Sequence, residues 1–387
     1  MRIMLVTSKL NFVSAGGSVA DLHLKAKGLV ELGHQVSVVT GFSEGNKINQ
    51  ALPYTVYEEY INSAHLLTIQ YHVYRILKKY AANADAFYLD GHIFLYGAGW
   101  YRLVGGKPTV AFFNIRLNCW GDTQDTDKRR DNFFLRMKRG LRSFLEHRLG
   151  VPLINRLDAF IFNTPMVEKL YLEWGFDKNK SSIIEDFVDT TAIREYRKGK
   201  EEVAAHQTKI PLTILCTGRM IPEKGFDLVI KAFAQLPDKE HFRLIMSGGG
   251  PDQERLIGLT REFRLEKFIT FPGWVNKEKL TNFFREAHIF IFPKWWIEYG
   301  SAVLTEAMAY GVPSIIPAGG ALEWLSKGAA LFFSQDNVAE LVRQIECLGS
   351  DTTLRIQLSA GALQRADVLD YKKLAGRLDA VIRSARC

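Results

Sequence analysis

Two glutamates, Glu298 and Glu306, stand eight positions apart in the stretch EYGSAVLTEAMAYGVPSII. Glu298 follows an aromatic pair (Trp295, Trp296) and precedes a Gly300-Ser301 turn. Glu306 falls inside the helix that this turn opens, which ends at Gly311-Val312-Pro313. Free backbone N–H groups at a helix start bind phosphate, and the helix dipole adds to the attraction. One carboxylate just before that start and another within the helix would be separated by roughly 10 Å, at about 1.5 Å rise per residue. That span is the reach from the hexose of a nucleotide-diphospho-sugar, across its diphosphate, to the ribose hydroxyls. Ionised carboxylates are good acceptors for such hydroxyls. An ordinary amphipathic helix can carry the same two glutamates, so the surroundings decide.

The stretch PLTILCTGRMIPEKGFDLVIKAF supplies the second anchor. Leu212–Thr217 reads as a buried strand, Gly218 as a turn, and Phe226, Val229, Ile230 and Phe233 as the apolar face of a following helix. Arg219 and Lys224 flank the strand-to-helix turn. Two fixed cations there could hold a diphosphate leaving group, Arg through a fork matched to phosphate oxygens and Lys as a point charge.

With these residues in place the chain resembles glycosyltransferase family 4, of the bacterial polysaccharide-biosynthesis type. The resemblance rests on GRMIPEKG, the glutamate pair with seven residues between, Gly311-Val312-Pro313 and GGALE, and it runs from about Met1 to Leu348. It implies the GT-B fold, with two Rossmann-like doubly wound parallel-sheet domains facing across a cleft. It also implies a retaining, metal-independent transfer from a nucleotide-diphospho-sugar. By the same resemblance Arg219 and Lys224 bind the donor diphosphate, Glu306 holds the ribose hydroxyls and Glu298 lies beside the donor sugar. The backbone of Tyr299, Gly300, Ser301, Ala302 and Val303 lies along sugar and phosphates.

The elements that must position these groups alternate between strand and helix, the pattern of parallel α/β sheets. Expected strands are Ile3–Thr7, Gln35–Thr40, Ala86–Leu89, Thr109–Phe113, Ala159–Asn163 and Ser182–Ile184 in the first half. In the second they are Leu212–Thr217, Arg243–Ser247, Ile269–Phe271, Ile289–Phe292, Pro313–Ile316 and Ala330–Phe333. A helix should begin near Ser18. Arg194 to Gln207 is polar and reads as a linker, which divides the chain into residues 1–193 and 194–370. A final helix carries apolar Tyr371, Leu374, Leu378, Val381 and Ile382, and the resemblance assigns residues 371–387 to the first domain.

Ligands of doubly wound sheets bind outside the carboxyl ends of strands. After the first strand, Gly16 and Gly17 open a helix, a pair suited to close approach of a ligand. The dinucleotide pattern GxGxxG is absent there. In the resembled family this glycine pair contacts donor phosphate or acceptor. His92 follows the third strand and Asn114 the fourth. Many family members carry histidine at the position of Asn114, and Asn can bond a sugar hydroxyl but cannot take a proton. In retaining enzymes of this type the leaving phosphate deprotonates the acceptor, so Asn114 is compatible with activity. Asn163 and Asp186–Asp189 (DFVD) are expected at the interdomain cleft.

Composition narrows the function classes. The chain has 387 residues, 47% hydrophobic and 24% charged, with net charge +8, which fits a two-domain globular enzyme. The four cysteines, Cys119, Cys216, Cys347 and Cys387, have no CxxC or Cys/His spacing, which argues against a disulfide framework or zinc site and suits a reducing cytoplasm. MRIMLVTSKLNF reads directly as strand and turn rather than as a signal peptide, and no apolar run approaches the ~18 residues of a spanning helix. Asp125 and Asp127 spell a metal-binding DxD, but in the polar segment GDTQDTDKRR with no strand before it, so no metal and no cofactor are expected. Residues 128–148 read as a basic amphipathic helix. It either lies on an anionic membrane surface, giving peripheral attachment to the inner face, or packs its apolar side inward. No nucleic-acid module accompanies the charge.

The expected activity is hexosyl transfer, with UDP-glucose as preferred donor and a saccharide or lipid-linked acceptor. Two rivals stand beside it. A sugar-nucleotide 2-epimerase of the same fold would need a carboxylate pair in the first domain, and none is evident. A non-catalytic sugar-nucleotide-binding subunit is the reading that Asn114 keeps open.

Overall fold

The computed structural model describes residues 1–12, 17–63, 65–114, 144–197, 211–294 and 300–386. Each expected strand forms. Every ladder between the described strands is parallel. Parallel sheets are covered on both faces, so their strands read as continuous apolar runs rather than alternating ones. Thr109–Phe113 and Ala159–Phe162 are buried at every position.

The chain divides into two units, Met1–Glu185 with Tyr371–Cys387, and Asp186–Asp370. The first holds β1 (Arg2–Thr7), β2 (Gln35–Thr40), β3 (Thr55–Glu58), β4 (Ala86–Asp90), β5 (Thr109–Phe113), β6 (Ala159–Phe162) and β7 (Ser181–Ile183), in the order β3-β2-β1-β4-β5-β6-β7. The second holds β8 (Leu212–Thr217), β9 (Phe242–Ser247), β10 (Ile269–Gly273), β11 (Ile289–Ile291), β12 (Ser314–Pro317) and β13 (Ala330–Phe333), in the order β10-β9-β8-β11-β12-β13. In both, the chain runs outward from the centre one way and then returns to run outward the other way. The strand order therefore reverses between β1 and β4 and between β8 and β11, the places where doubly wound sheets bind ligands.

Strand β3 was not expected from sequence. Its four residues, TVYE, have exposed ends and half-buried centres, so an edge position leaves no apolar run to find. At the start of the stretch read as a linker, Thr190–Arg197 is helical, and the division between the units falls before it, after Glu185. Asp189 accepts a hydrogen bond from the Ala192 N–H at 3.0 Å and so caps that helix. Side-chain capping of this kind lets a polar segment start a helix.

The second unit has one apolar cluster on each face of its sheet. Ile214, Cys216, Ile289 and Ile291 belong to one cluster, and Leu215 and Phe290 to the other, as strand alternation requires. The helices that bear on function are α1 (Gly17–Glu31), α2 (Leu66–Tyr80), α3 (Leu95–Leu103), α4 (Phe226–Gln235), α5 (Ala302–Ala309) and α6 (Tyr371–Ser384). Helix α6 packs on α1 within the first unit. A methyl group at Gly28 would stand 2.6 Å from Ala375 Cβ, so only glycine permits this approach. The Tyr371 hydroxyl meets both Glu31 oxygens at 2.8 and 3.0 Å. Arg377 donates to Glu185 at 2.8 Å. No described helix is long and apolar enough to cross a membrane.

Candidate functional site

At the switch point of the second unit, β8 ends in Gly218-Arg219-Met220 and a single turn over Pro222–Lys224 leads into α4. Gly225 joins them in the left-handed conformation, φ 68°, and a Cβ there would lie 3.0 Å from Lys294 Cβ. Glycine is therefore required for the turn that brings Lys224 back toward the strand ends. Its ammonium lies 5.6 Å from the ring centroid of Phe292, the residue after β11. Arg219 is exposed and Lys224 half-buried. Burial and then the Arg219 charge lower the Lys224 ammonium to about 8, against an opposing pull from Cys216. A cationic pair of this kind at a strand-to-helix turn can take an anion.

Helix α5 opens beside Gly300. Ser301, buried, caps it by accepting from the Leu304 N–H at 3.1 Å, while the Thr305 hydroxyl bonds the Ser301 carbonyl at 2.9 Å. The N–H groups of the first turn have no intrahelical acceptor. Ala302, Val303 and Glu306 are the partly exposed positions of the helix, and its other residues are buried. Three- and four-residue spacing puts neighbours on one face, so Glu306 shares a stripe with the helix start. Burial raises the Glu306 carboxyl to about 7, with Lys277 drawing it the other way.

The structure adds a loop that the sequence reading passed over, Ser247–Gly250 after β9. The Gly218 N–H donates to the Ser247 carbonyl at 3.1 Å and the Met220 N–H to the Gly249 carbonyl at 2.9 Å. Gly248 has φ 117°, and a Cβ there would fall 1.9 Å from the Gly218 oxygen. Gly250 has φ 156°, and a Cβ there would meet the Met220 oxygen at 2.3 Å. This loop thus fixes the backbone that carries Arg219. Its signal was available as the run SGGGPD at the end of an expected strand.

The first unit gathers a different set between β1 and β4. The Thr7 hydroxyl donates to Asp90 at 3.2 Å. Lys25 on α1, buried, lies 2.5 Å from Asp21 and 3.1 Å from the Phe112 ring centroid. Burial raises the Asp90 carboxyl to about 6; Lys25 opposes the shift, Asp21 adds to it, and the Thr7 hydroxyl opposes it. Asn114 follows β5 directly and is half-buried. Asn163, buried, follows β6, its N–H on the Phe113 carbonyl at 3.1 Å. Gly17 is the first residue of α1.

Among the sequence-derived candidates, Arg219, Lys224, Gly300, Ser301, Ala302, Val303 and Glu306 fall in the second unit and Gly17 and Asn114 in the first. Glu298, Tyr299 and Gly16 lie outside the described residues, as do Asp125, Asp127 and the basic stretch through residue 143. The same holds for the His92 side chain, whose backbone forms a short turn, His92–Phe94.

Residues 15–192 match the family described as Glycosyltransferase Family 4, and residues 200–365 match Glycosyl transferases group 1. Among curated proteins, the chain is 22% identical over 204 residues to the lipopolysaccharide core biosynthesis glycosyltransferase LpsE of Rhizobium meliloti, covering 52% of this chain and 57% of LpsE. It is 29% identical over 131 residues to mannosylfructose-phosphate synthase of Agrobacterium fabrum, covering 31% of this chain and 29% of that protein. These alignments span about half or less of the two relatives' own lengths. Among solved structures, Anabaena Alr3699/HepE in complex with UDP aligns with TM-score 0.74 at 16% identity, over 99% of this chain and 100% of that one. That likeness establishes the GT-B fold.

Proposed function

The chain belongs to the glycosyltransferases that join a family 4 domain to a group 1 domain, and we propose that it moves a hexose from UDP-glucose to a saccharide or lipid-linked hydroxyl in polysaccharide biosynthesis. The observation that carries this reading is the pair Arg219 and Lys224. They are held at one strand-to-helix turn, with the Lys224 ammonium lowered to about 8 by burial and by its neighbour. A partly buried ammonium beside a guanidinium is a cationic pair suited to a diphosphate. Support for uridine comes from the Anabaena protein, whose structures include complexes with UDP and with UDP-glucose.

In the proposed reaction the bond between the sugar's anomeric carbon and the diphosphate oxygen breaks, and the acceptor oxygen bonds to that carbon on the same face. The acceptor proton passes to the departing diphosphate oxygen. Arg219 and Lys224 stabilise the charge developing there, the largest electrostatic demand of the step. Glu306 holds the ribose hydroxyls and Glu298 the sugar. Asn114 and His92 are assigned to the sugar side, and Gly16 and Gly17 to close backbone approach. No divalent ion takes part, so turnover survives EDTA. Activity lost to chelation and restored by magnesium or manganese would return Asp125 and Asp127 to consideration. The site of action is the cytoplasmic side of the membrane.

The deciding experiment separates the two glutamates. Calorimetry with UDP should show weaker binding for Glu306→Ala and nearly unchanged binding for Glu298→Ala. Kinetics with UDP-glucose should show the loss in Glu298→Ala falling on kcat. Loss of UDP binding in Glu298→Ala as severe as in Glu306→Ala would show the proposed donor orientation to be wrong.

A further inference from the structure

We propose that a pocket along the helix Gly320–Ser326, in the second unit, binds one pyranose unit of a glycan. The helix connects β12 to the edge strand β13. Gly320, Glu323, Trp324, Lys327, Gly328 and Phe332 line a cavity of about 450 Å³ beside it. None of them is assigned to the donor. Trp324 and Phe332 are half-buried and pack against the same apolar cluster, while Glu323 and Lys327 are exposed. The buried Arg365 steadies the indole, with its guanidinium carbon 5.8 Å from the ring centroid and its Nε on the Leu325 carbonyl at 2.6 Å.

The charges at this pocket are left for a ligand. A glutamate and a lysine four positions apart on a helix ordinarily pair. Glu323 and Lys327 do not. Glu323 Oε2 accepts from the Gly319 N–H at 2.5 Å, and the Lys327 ammonium stands 5.8 Å from the Trp324 ring centroid. Among the described residues, Glu323 Oε1 and the Lys327 ammonium have no hydrogen-bond partner. Lys327 also has φ 46°, in the left-handed region, which strains a lysine and suits a glycine. Strain of this kind gathers at ligand sites. An indole face, a carboxylate and an ammonium together match a sugar. The C–H bonds on one face of a pyranose, polarised by neighbouring oxygens, lie against the aromatic ring. The carboxylate accepts from hydroxyls and the ammonium donates to them. The two exposed charges are opposite, which favours a neutral ligand over a nucleotide or a phosphosugar. That the sugar belongs to the acceptor or product rests on the transferase reading above.

The test is saturation-transfer NMR on the full chain with cellotetraose and with maltotetraose, each with saturating UDP so that the donor residues are occupied. At least one tetrasaccharide should receive saturation from the wild type. Trp324→Ala and Lys327→Gly should each weaken its Kd by about tenfold. Lys327→Gly is the decisive variant. Glycine relieves the left-handed strain, so this protein should melt no lower than the wild type while its saccharide binding falls. The assignment is overturned if neither tetrasaccharide receives saturation, or if both variants bind as the wild type does. It is likewise overturned if added UDP displaces the sugar, which would place it among the donor residues. Calorimetry with UDP alone, run beside it, should give the same affinity for wild type and both variants. A wild type that does not bind UDP overturns the donor reading and not the pocket.

Discussion

Glu306 and Lys224 are each displaced toward neutrality, one carboxyl raised to about 7 and one ammonium lowered to about 8. If Glu306 accepts ribose hydroxyls as a carboxylate, UDP affinity rises with pH through about 7. If Lys224 meets phosphate as an ammonium, affinity falls as pH passes about 8. The expected profile, measured by calorimetry between about pH 6 and pH 9, is a maximum between those values. Glu306→Gln should flatten the acid limb, and Lys224→Arg should carry the alkaline limb out of range, since guanidinium stays charged. Limbs that persist unchanged in both variants would dissociate these groups from the nucleotide. In the absence of ligand the Lys224 sign reverses. The unfolded chain keeps the proton that the folded one releases between about 8 and 10.5, so apo stability should rise with pH across that window. Truncating either cation of the turn, as Arg219→Ala or Lys224→Ala, should weaken UDP by about 2 kcal/mol.

The site's rigidity belongs to its turns. The β8 and β9 loops are joined backbone to backbone, and Gly248 permits this because a Cβ there would overlap the Gly218 oxygen at 1.9 Å. Gly248→Ala must both move the loop and strain a left-handed φ. It should destabilise the second unit by about 3 kcal/mol in denaturant titration, displace Arg219 and weaken UDP binding. Ser301→Ala is the milder counterpart. Loss of the bond to the Leu304 N–H should cost about 1 kcal/mol and loosen the start of α5. If Gly248→Ala unfolds with wild-type midpoint and binds UDP as the wild type does, the loop plays no part in holding the site.

Across the chain, the first unit is closed by residues from the far end of the sequence. Helix α6 buries Tyr371, Leu374, Ala375, Leu378 and Ile382 against the rest of that unit. His34, buried, lies 3.0 Å from Asp379, and burial is the main cause of its lowered pKa. The unfolded chain therefore binds a proton that the folded unit refuses, and stability falls as pH drops below about 6.5. Leu378→Ala should cost about 3 kcal/mol. It should lower the unfolding midpoint of the first unit while leaving UDP affinity nearly intact, because the proposed UDP ligands Arg219, Lys224 and Glu306 belong to the second. A matching loss of UDP affinity would show that the first unit contributes to nucleotide binding.

Sequence alone determined the alternation of strand and helix, since buried parallel strands are apolar at successive positions and so visible without partners. It also placed Arg219 and Lys224 at a strand-to-helix turn and Glu306 inside a helix opened by Ser301, as the structure has them. Edge strand β3 was invisible, being too short and too polar to leave a run. The Ser247–Gly250 loop was legible as glycines but not as a partner of Gly218, because backbone contact between two loops leaves no side-chain pattern. Tertiary structure alone decided the environments: which carboxyl is raised, which ammonium is lowered, and that Thr7, Lys25 and Asp90 meet between β1 and β4. Desolvation and through-space charge depend on what surrounds a group, and residues far apart in sequence supply those surroundings.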